Sequence, residues 1–461
     1  MYQLRKRKIM NFKKPKFYAA VILSVFTVFS ACKKDDGDDD TQVKDVEVLE
    51  GQISTTKKLS ADKVYLLRGY VQVMAGGKLE IPAGTVIKGE KATNGALIIE
   101  RDGDIIANGT ASNPIVFTSD QVNKSTGDWA GIVICGKSTV NTEGGTAQYE
   151  GGALGASIAN YGGDVPADNS GEFTYVRIEF AGIPIQKDKE INGLTLCGVG
   201  NGTTIHHVQI SYGGDDSFEF FGGTVNASHL IAYRGVDDDF DFDQGYSGKI
   251  QYAISIKDPA IADAAGISRG IEAENKTGVI NNAYTKPILS NFTFIGPGTG
   301  GSVSNKHGAG IHIGTSSRIV LANSIIVNHY TNAVEVSSDF AAQSLKDGQS
   351  ILSNNLIFGA GSNYGLVTVG ASIFADAAAF GTFLTTGGNS TVANVAGVGF
   401  TSTSLDAPNL TLAANSVANG KARFTGDLAT GFETTATYAG AMGTTNWTAG
   451  WANWTPKSTT Y

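Results

Sequence analysis

One stretch of this chain repeats itself without a gap. Residues His207–Gly223 align with His229–Gly245 at an offset of 22 residues: His207 meets His229, Gly213 meets Gly235, Asp215-Asp216 meets Asp237-Asp238, and Phe218/Phe220 meet Phe240/Phe242. A unit this short cannot bury its own apolar side chains, so such units must stack into a solenoid with one continuous core. Two families of segment carry the repeat. The first includes HVQISYGG (207–214), HLIAYRG (229–235), IQYAISIKD (250–258), LSNFTFIG (289–296), LANSIIVN (321–328) and LSNNLIFG (352–359). The second includes GIVICG (131–136), GLTLCG (193–198), SFEFFGG (217–223), DFDFDQG (239–245), GIEAEN (270–275), GIHIG (310–314) and AVEVS (333–337), and the two alternate from Gly182 onward. Both families are short, apolar-alternating and bounded by Gly or Asn, which reads as strand and turn. The 59 glycines agree with many tight turns, and no long stretch shows a helical apolar period. The fold class expected is all-β, a parallel solenoid; a β-sandwich would not repeat at one fixed offset.

The pattern resembles right-handed parallel β-helices of the pectate-lyase type, and the N-terminal segments Gly77–Ile87, Ala96–Glu100, Asp104–Ala107 and Ile115–Thr118 fit it too. IPAGTVIKG (81–89), ALIIERDGDIIANGTASNPIVFTS (96–119), EINGLTLCGVGNGTTIHHVQISYGGDDSFEFFGGTV (190–225) and NWTAGWANW (446–454) resemble a family of Bacteroidetes-type β-helix surface lipoproteins. That resemblance covers most of the chain and implies no particular activity. Beyond residue 371 the rhythm changes to Ala/Thr/Gly-rich sequence with Trp447, Trp451 and Trp454 near the end. A solenoid needs a cap over its last coil, so residues 371–461 are expected to hold C-terminal coils and a cap, with the tryptophans packing there in preference to forming a sugar-stacking platform.

The N-terminus gives an address. Residues 1–16 carry seven basic residues and no acid, an apolar run follows from Phe17 to Phe29, and Ser30-Ala31-Cys32 closes it. That is the layout of a secretory signal peptide, and the run is too short to span a bilayer. Phe-Ser-Ala before Cys32 resembles a bacterial lipobox, which implies cleavage after residue 31 and lipidation of Cys32. Lys33–Asp40 is charged throughout apart from Gly37, so residues 32–45 read as a flexible acidic tether. The tether also resembles a surface-export signal, implying an outer-membrane, lipid-anchored protein exposed at the cell surface. Without residues 1–31 the chain keeps 28 Lys+Arg against 43 Asp+Glu, near −15. This balance argues against a nucleic-acid partner, whose binding rests on neutralising phosphates.

Aligning the second family exposes one column. Leu194/Leu196, Phe218/Phe220, Phe240/Phe242, Ile271/Ala273, Ile311/Ile313 and Val334/Val336 point inward, so Thr195, Glu219, Asp241, Glu272, His312 and Glu335 point outward. Asp239, Asp243 and Glu274 flank the column, and Asp215, Asp216, Asp237 and Asp238 sit in the turns leading into it. Carboxylates stacked about 4.8 Å apart repel one another and need a counter-charge: Arg234, Arg269, a bound cation or a shared proton. Three readings stay open. Glu219, Asp239, Asp241, Asp243, Glu272 and Glu274 are candidate ligands for Ca²⁺, which favours several carboxylate oxygens. Asp215, Asp216, Glu219, Asp241 and His312 are candidate catalytic groups, as in β-helix lyases or in glycosidases with paired carboxylates. The third reading is a solvated polar ladder. Gly214-Asp215-Asp216 resembles one element of the polygalacturonase pattern, but its companion motifs are missing. No serine-nucleophile motif and no metal pattern of histidines stands out.

Cys135 and Cys197 lie 62 residues apart in superimposable contexts, GIVICG and GLTLCG, so they should occupy adjacent coils as neighbouring thiols, in preference to a disulfide, with residues 137–192 leaving the solenoid (46–370) as an excursion. The functional expectation is a surface-anchored β-helix that binds an extracellular glycan or matrix polymer, with or without a divalent cation. A polysaccharide lyase or glycoside hydrolase acting at the acidic patch, and a purely structural or adhesion protein, are the alternatives.

Overall fold

The computed structural model describes residues 44–149, 160–186, 189–275, 278–280 and 282–461; the expected signal peptide, Cys32 and most of the expected tether lie outside the described residues. The chain winds as a parallel β-helix, with 26 strands joined in one sheet system. Successive coils pair in parallel along three faces. Face A stacks segments such as Val176–Glu179, Val208–Ser211, Leu230–Tyr233 and Ala253–Ile256. Face B stacks Ala96–Ile99, Gly131–Cys135, Leu194–Cys197, Phe218–Phe221, Phe240–Asp243, Ile271–Ala273, Ile311–Ile313 and Asn332–Val336. Face C stacks Lys78–Pro82, Asp104–Asn108, Gly171–Thr174, Thr204–His206 and their successors.

The first segment family therefore lies on strands that run over two faces. Gly171–Glu179, Thr204–Ser211, Ala227–Tyr233, Lys249–Ile256 and Ile288–Ile295 are each one bent strand. Only the later coils divide, into Val320–Ala322 with Ile325–His329 and Ile351–Ser353 with Leu356–Gly359. A bend divides face C from face A in each coil, at Tyr175, His207, His229, Tyr252, Asn291, Asn323 and Asn354, and all seven have positive φ. That conformation suits Asn and strains other side chains. The rings offset the strain by stacking: Tyr175 on His207 at 4.3 Å, His207 on His229 at 4.2 Å, and His229 against Tyr252 at 5.0 Å. Burial, and the neighbouring histidines, hold His207 down to about 3 and His229 to about 4, so the stacked imidazoles are neutral. The histidines that open the repeat are structural.

Inside, the aligned aromatic pairs stack as the repeat requires: Phe218 on Phe240 at 5.2 Å and Phe220 on Phe242 at 5.0 Å. Cys135 and Cys197 are register partners on adjacent coils, buried and not joined by a disulfide. The excursion between them is shorter than the spacing suggests. Gly171–Glu179 returns to the solenoid as a strand of faces C and A, and a second departure follows as the hairpin Ile183–Gln186/Lys189–Ile191.

Face A is apolar on its outside as well. Phe180, Tyr212, Ile231, Tyr233, Ile254, Ile256, Ile325 and Val327 form a second buried cluster with Leu410, Leu412, Met442 and Trp451 of the C-terminal segment. The tryptophans consequently lie along the flank and not over the last coil. The end is covered by a helix, Ala377–Thr386, whose Phe380 and Leu384 join the main core with Phe374. The chain then runs back along the solenoid, and polar ties secure it there. Gln209 and Asn453 exchange two hydrogen bonds of 2.7 Å, and the Tyr461 hydroxyl donates to Glu179 at 2.6 Å.

Candidate functional site

The predicted column forms residue for residue. Thr195 pairs with Glu219, Glu219 with Asp241, Asp241 with Glu272, Glu272 with His312, and His312 with Glu335. It is not a solvated ladder, however: Glu219 is 6% exposed, Asp241 4% and His312 6%. Two departures from the repeat wall it in. On one side stands the 183–191 hairpin, which brings Pro184, Glu190 and the following Asn192. On the other is the lengthened turn 257–270, which brings Asp263, Ile267 and Arg269. Between them lies a cleft of about 700 Å³ whose lining includes Asp215, Asp216, Glu219, Asp237, Asp238, Asp241, Asp243 and Glu272.

The turn aspartates are built into this floor. Asp216 Oδ1 accepts the Asp238 N–H at 2.8 Å, Asp238 accepts the Arg269 N–H, and Asn192 bridges the walls by donating to Glu219 and accepting the Asp216 N–H at 3.2 Å. Arg269 Nη1 lies 2.5 Å from Glu272 and 3.7 Å from Asp238. Arg234 turns away, pairing with Asp258 at 3.2 Å and Asp406 at 3.0 Å. One guanidinium does not neutralise the cleft. Burial, then neighbouring carboxylates, drive Asp216 well above the usual carboxylate range and Asp237 up to about 9. Asp238 is pushed up to about 7 by burial and Glu272, against the pull of Arg269 and Lys257.

The six candidate cation ligands do not form one site. Asp239 is fully buried beneath the turn, where it pairs with Lys257 at 3.1 Å and accepts from Ser255. Asp243 lines the cleft and accepts its neighbour Gln244 N–H at 2.6 Å. Glu272, Glu274 and His312 each bring an atom within 4.8 Å of the others. Glu272 already holds Arg269, and both His312 ring nitrogens are engaged, by Glu335 at 2.9 Å and Ser337 at 3.0 Å. The hydrogen bond from His312 is also what holds Glu335 below the usual carboxylate range. Two other groups converge on one residue: Asp215, Asp216 and Asp237, and Asp216, Glu219 and Asp241, each within 4.8 Å. A cation with ligands at about 2.4 Å holds opposite oxygens about 4.8 Å apart. Either group by itself has the oxygen spacing and hardness that one such ion needs, and Asp216 is common to both.

The family model for the pectate-lyase-like β-helix domain matches residues 51–452. The chain belongs to that family. No curated protein matches it. Among solved structures, the crystal structure of the Dettilon tailspike protein is similar at 9% identity and a TM-score of 0.25, over 68% of this chain and 61% of that one. The chain thus spans about three fifths of the tailspike's length. Within this β-helix family member, sequence reasoning placed the column and the turn aspartates but missed Asn192, Glu190, Asp263 and the walls that enclose them. One signal was available: the turn between faces A and B takes residues 212–217 and 234–239 in two coils but 257–270 in the next.

Proposed function

We propose that this β-helix is a cell-exterior binding module. Anchored on an outer membrane through Cys32, it holds a divalent cation among the carboxylates around Asp216 and through that ion engages an extracellular glycan or matrix polymer. The observation that carries the reading is that Asp216 belongs to two carboxylate groups, each with its oxygens at a spacing one hard cation bridges. A cleft this acidic repels a uronic-acid polymer on its own. With a cation in place, vacant coordination positions accept sugar hydroxyl or carboxylate oxygens. The walled groove, about 700 Å³ in volume, provides room for several sugar atoms beside the ion.

The test is binding of the mature chain to a panel of acidic and neutral polysaccharides, in calcium and in chelator. Binding should require calcium and be lost in the Glu219→Ala/Asp241→Ala variant. Equal binding in chelator, or none under either condition, would sink the reading. The same assay addresses a second reading, cleavage of the polymer. Asp237, pushed up to about 9, is protonated at neutral pH beside other carboxylates, the pairing that glycoside hydrolysis uses. New reducing ends or unsaturated products would establish it.

The anchor has its own test. Cys32→Ser should leave the protein soluble or unprocessed; a variant of mature size that still fractionates with the membrane would overturn lipidation at Cys32.

A further inference from the structure

We propose that Ser337, His312 and Glu335 form a hydrolytic triad that cleaves neutral carboxylic esters, on face B in the coils that follow the cation cleft. The geometry is that of nucleophile, base and orienting acid. Ser337 Oγ lies 3.0 Å from His312 Nε2, and His312 Nδ1 lies 2.9 Å from Glu335 Oε1. The other Glu335 oxygen accepts from Asn332 Nδ2 at 2.8 Å, which fixes the carboxylate in turn. The repeat explains why the three meet. His312 and Glu335 are register partners on adjacent coils. Ser337 follows Glu335 by two residues and so projects from the same side of its strand. One imidazole thus spans both residues of the next coil.

The hydrogen bonds also set the tautomer. An ionised carboxylate only accepts, so Nδ1 carries the proton toward Glu335 and the Nε2 lone pair faces the Ser337 hydroxyl. The coil below carries Gly314, which brings no side chain of its own to Nε2, and Glu274 Oε1 stands 3.9 Å from that nitrogen, beyond hydrogen-bond reach. Ser337 is half-buried and stands between the strand Asn332–Val336 and the helix Asp339–Lys346, which Ser338 caps by accepting the Ala341 N–H at 3.2 Å. A serine at a strand-to-helix junction presents its Oγ beside the helix's positive end. Ser338 takes the Ala341 N–H with its hydroxyl and the Ala342 N–H with its carbonyl, so the oxyanion role falls to the N–H groups of Asp339 and Phe340 at the start of the helix.

In the reaction, Ser337 Oγ bonds to the ester carbonyl carbon as its proton passes to His312 Nε2. Collapse of the tetrahedral intermediate breaks the ester C–O bond, and the alkoxide leaves as an alcohol with that proton. Water, deprotonated by His312, then attacks the acyl-serine, releasing the carboxylic acid and restoring the Ser337 hydroxyl. The substrate class follows from charge: Glu272, Glu274 and Glu335 surround His312, so an anionic ester is repelled where a neutral one is not.

The experiment uses the mature chain with p-nitrophenyl acetate and a fluorophosphonate probe. Wild type should hydrolyse the ester and carry one probe adduct, located at Ser337 by peptide mass spectrometry. Ser337→Ala should lose both, with turnover falling about 10⁴-fold or more. Glu335 acts through His312 as a positioning residue, so Glu335→Gln should lose activity while Glu335→Asp recovers part of it at unchanged melting temperature. An adduct elsewhere, no adduct on folded wild type, or undiminished hydrolysis in Ser337→Ala would overturn the triad. Should Ser337→Ala fail to fold, the adduct site on wild type decides.

Discussion

Replacing Lys257 with alanine should destabilise the protein by about 3–5 kcal/mol, the cost of leaving a buried charge without its partner. Lys257 and Asp239 are 2% and 0% exposed. The ammonium lies 3.1 Å from the carboxylate and donates to the Asp237 carbonyl; Ser255 donates to the other Asp239 oxygen. Burial pushes Asp239 upward and Lys257 pulls it back. Without the lysine, Asp239 must take a proton or remain charged in an apolar setting, and either costs stability. The pair also holds the lengthened turn, since Lys257 ties the strand Lys249–Ile256 to the aspartate turn that floors the cleft. Denaturant unfolding of Lys257→Ala, Asp239→Asn and Lys257→Met/Asp239→Asn checks this. The double variant should recover most of the loss, because desolvating two charges offsets much of what their attraction contributes. Loss in the double variant equal to that in Lys257→Ala would show that the lysine acts by packing and not by pairing.

That pair marks where the sequence stopped being readable. Asp239 occupies the repeat position of Ser217, next to acidic cleft residues, and nothing local separates a structural aspartate from a ligand. The partner that decides it comes from the following coil. What the repeat did carry was register: strand side chains alternate and coils stack, so aligning the second segment family, whose members stand at unequal offsets, placed Glu219, Asp241, Glu272, His312 and Glu335 in a column and Cys135 beside Cys197. Register says which way a side chain points, not what lies beyond it. The hairpin and the 257–270 turn cover the column because they depart from the repeat, and the repeat holds no information about them. The bend between faces C and A was hidden for another reason. His207, His229 and Tyr252 adopt positive φ without being glycine or asparagine, and the stacking that supports them is a tertiary effect. The cover over face A had a clue in composition. Segments such as YAISI (252–256) and SIIV (324–327) show no strict polar alternation, as expected for strands buried on both sides.

In chelator, thermal stability should fall as pH rises from 6.5 to 9, and calcium should remove that fall. The sign follows from which state binds more protons. Asp216, Asp237 and Asp238 have folded-state values raised above the ordinary 3.8, with Asp237 at about 9 and Asp238 at about 7. Between the unfolded and folded values the native protein holds protons that the unfolded chain has released, so stability declines with rising pH across that window. A group protonated only when folded costs about 1.4 kcal/mol per pH unit, so Asp237 alone accounts for on the order of 3 kcal/mol between pH 6.5 and 9. The histidines act in the opposite sense and in a lower range. His207 at about 3 and His229 at about 4 lie below the ordinary 6.5, so they reduce stability as pH falls below 6.5 and contribute no slope above it. The alkaline limb therefore reports the aspartates of the cleft. A divalent cation replaces the missing protons as counter-charge and binds only the folded arrangement, which raises the melting temperature most where the carboxylates are ionised. Asp237→Asn should flatten the limb in chelator, and Asp216→Asn should remove most of the gain from calcium, since Asp216 is shared by both ligand groups. Melting curves across this range, in calcium and in chelator, decide the matter: a flat alkaline limb in chelator, or the same slope with calcium present, would leave the cleft without the ion assigned to it.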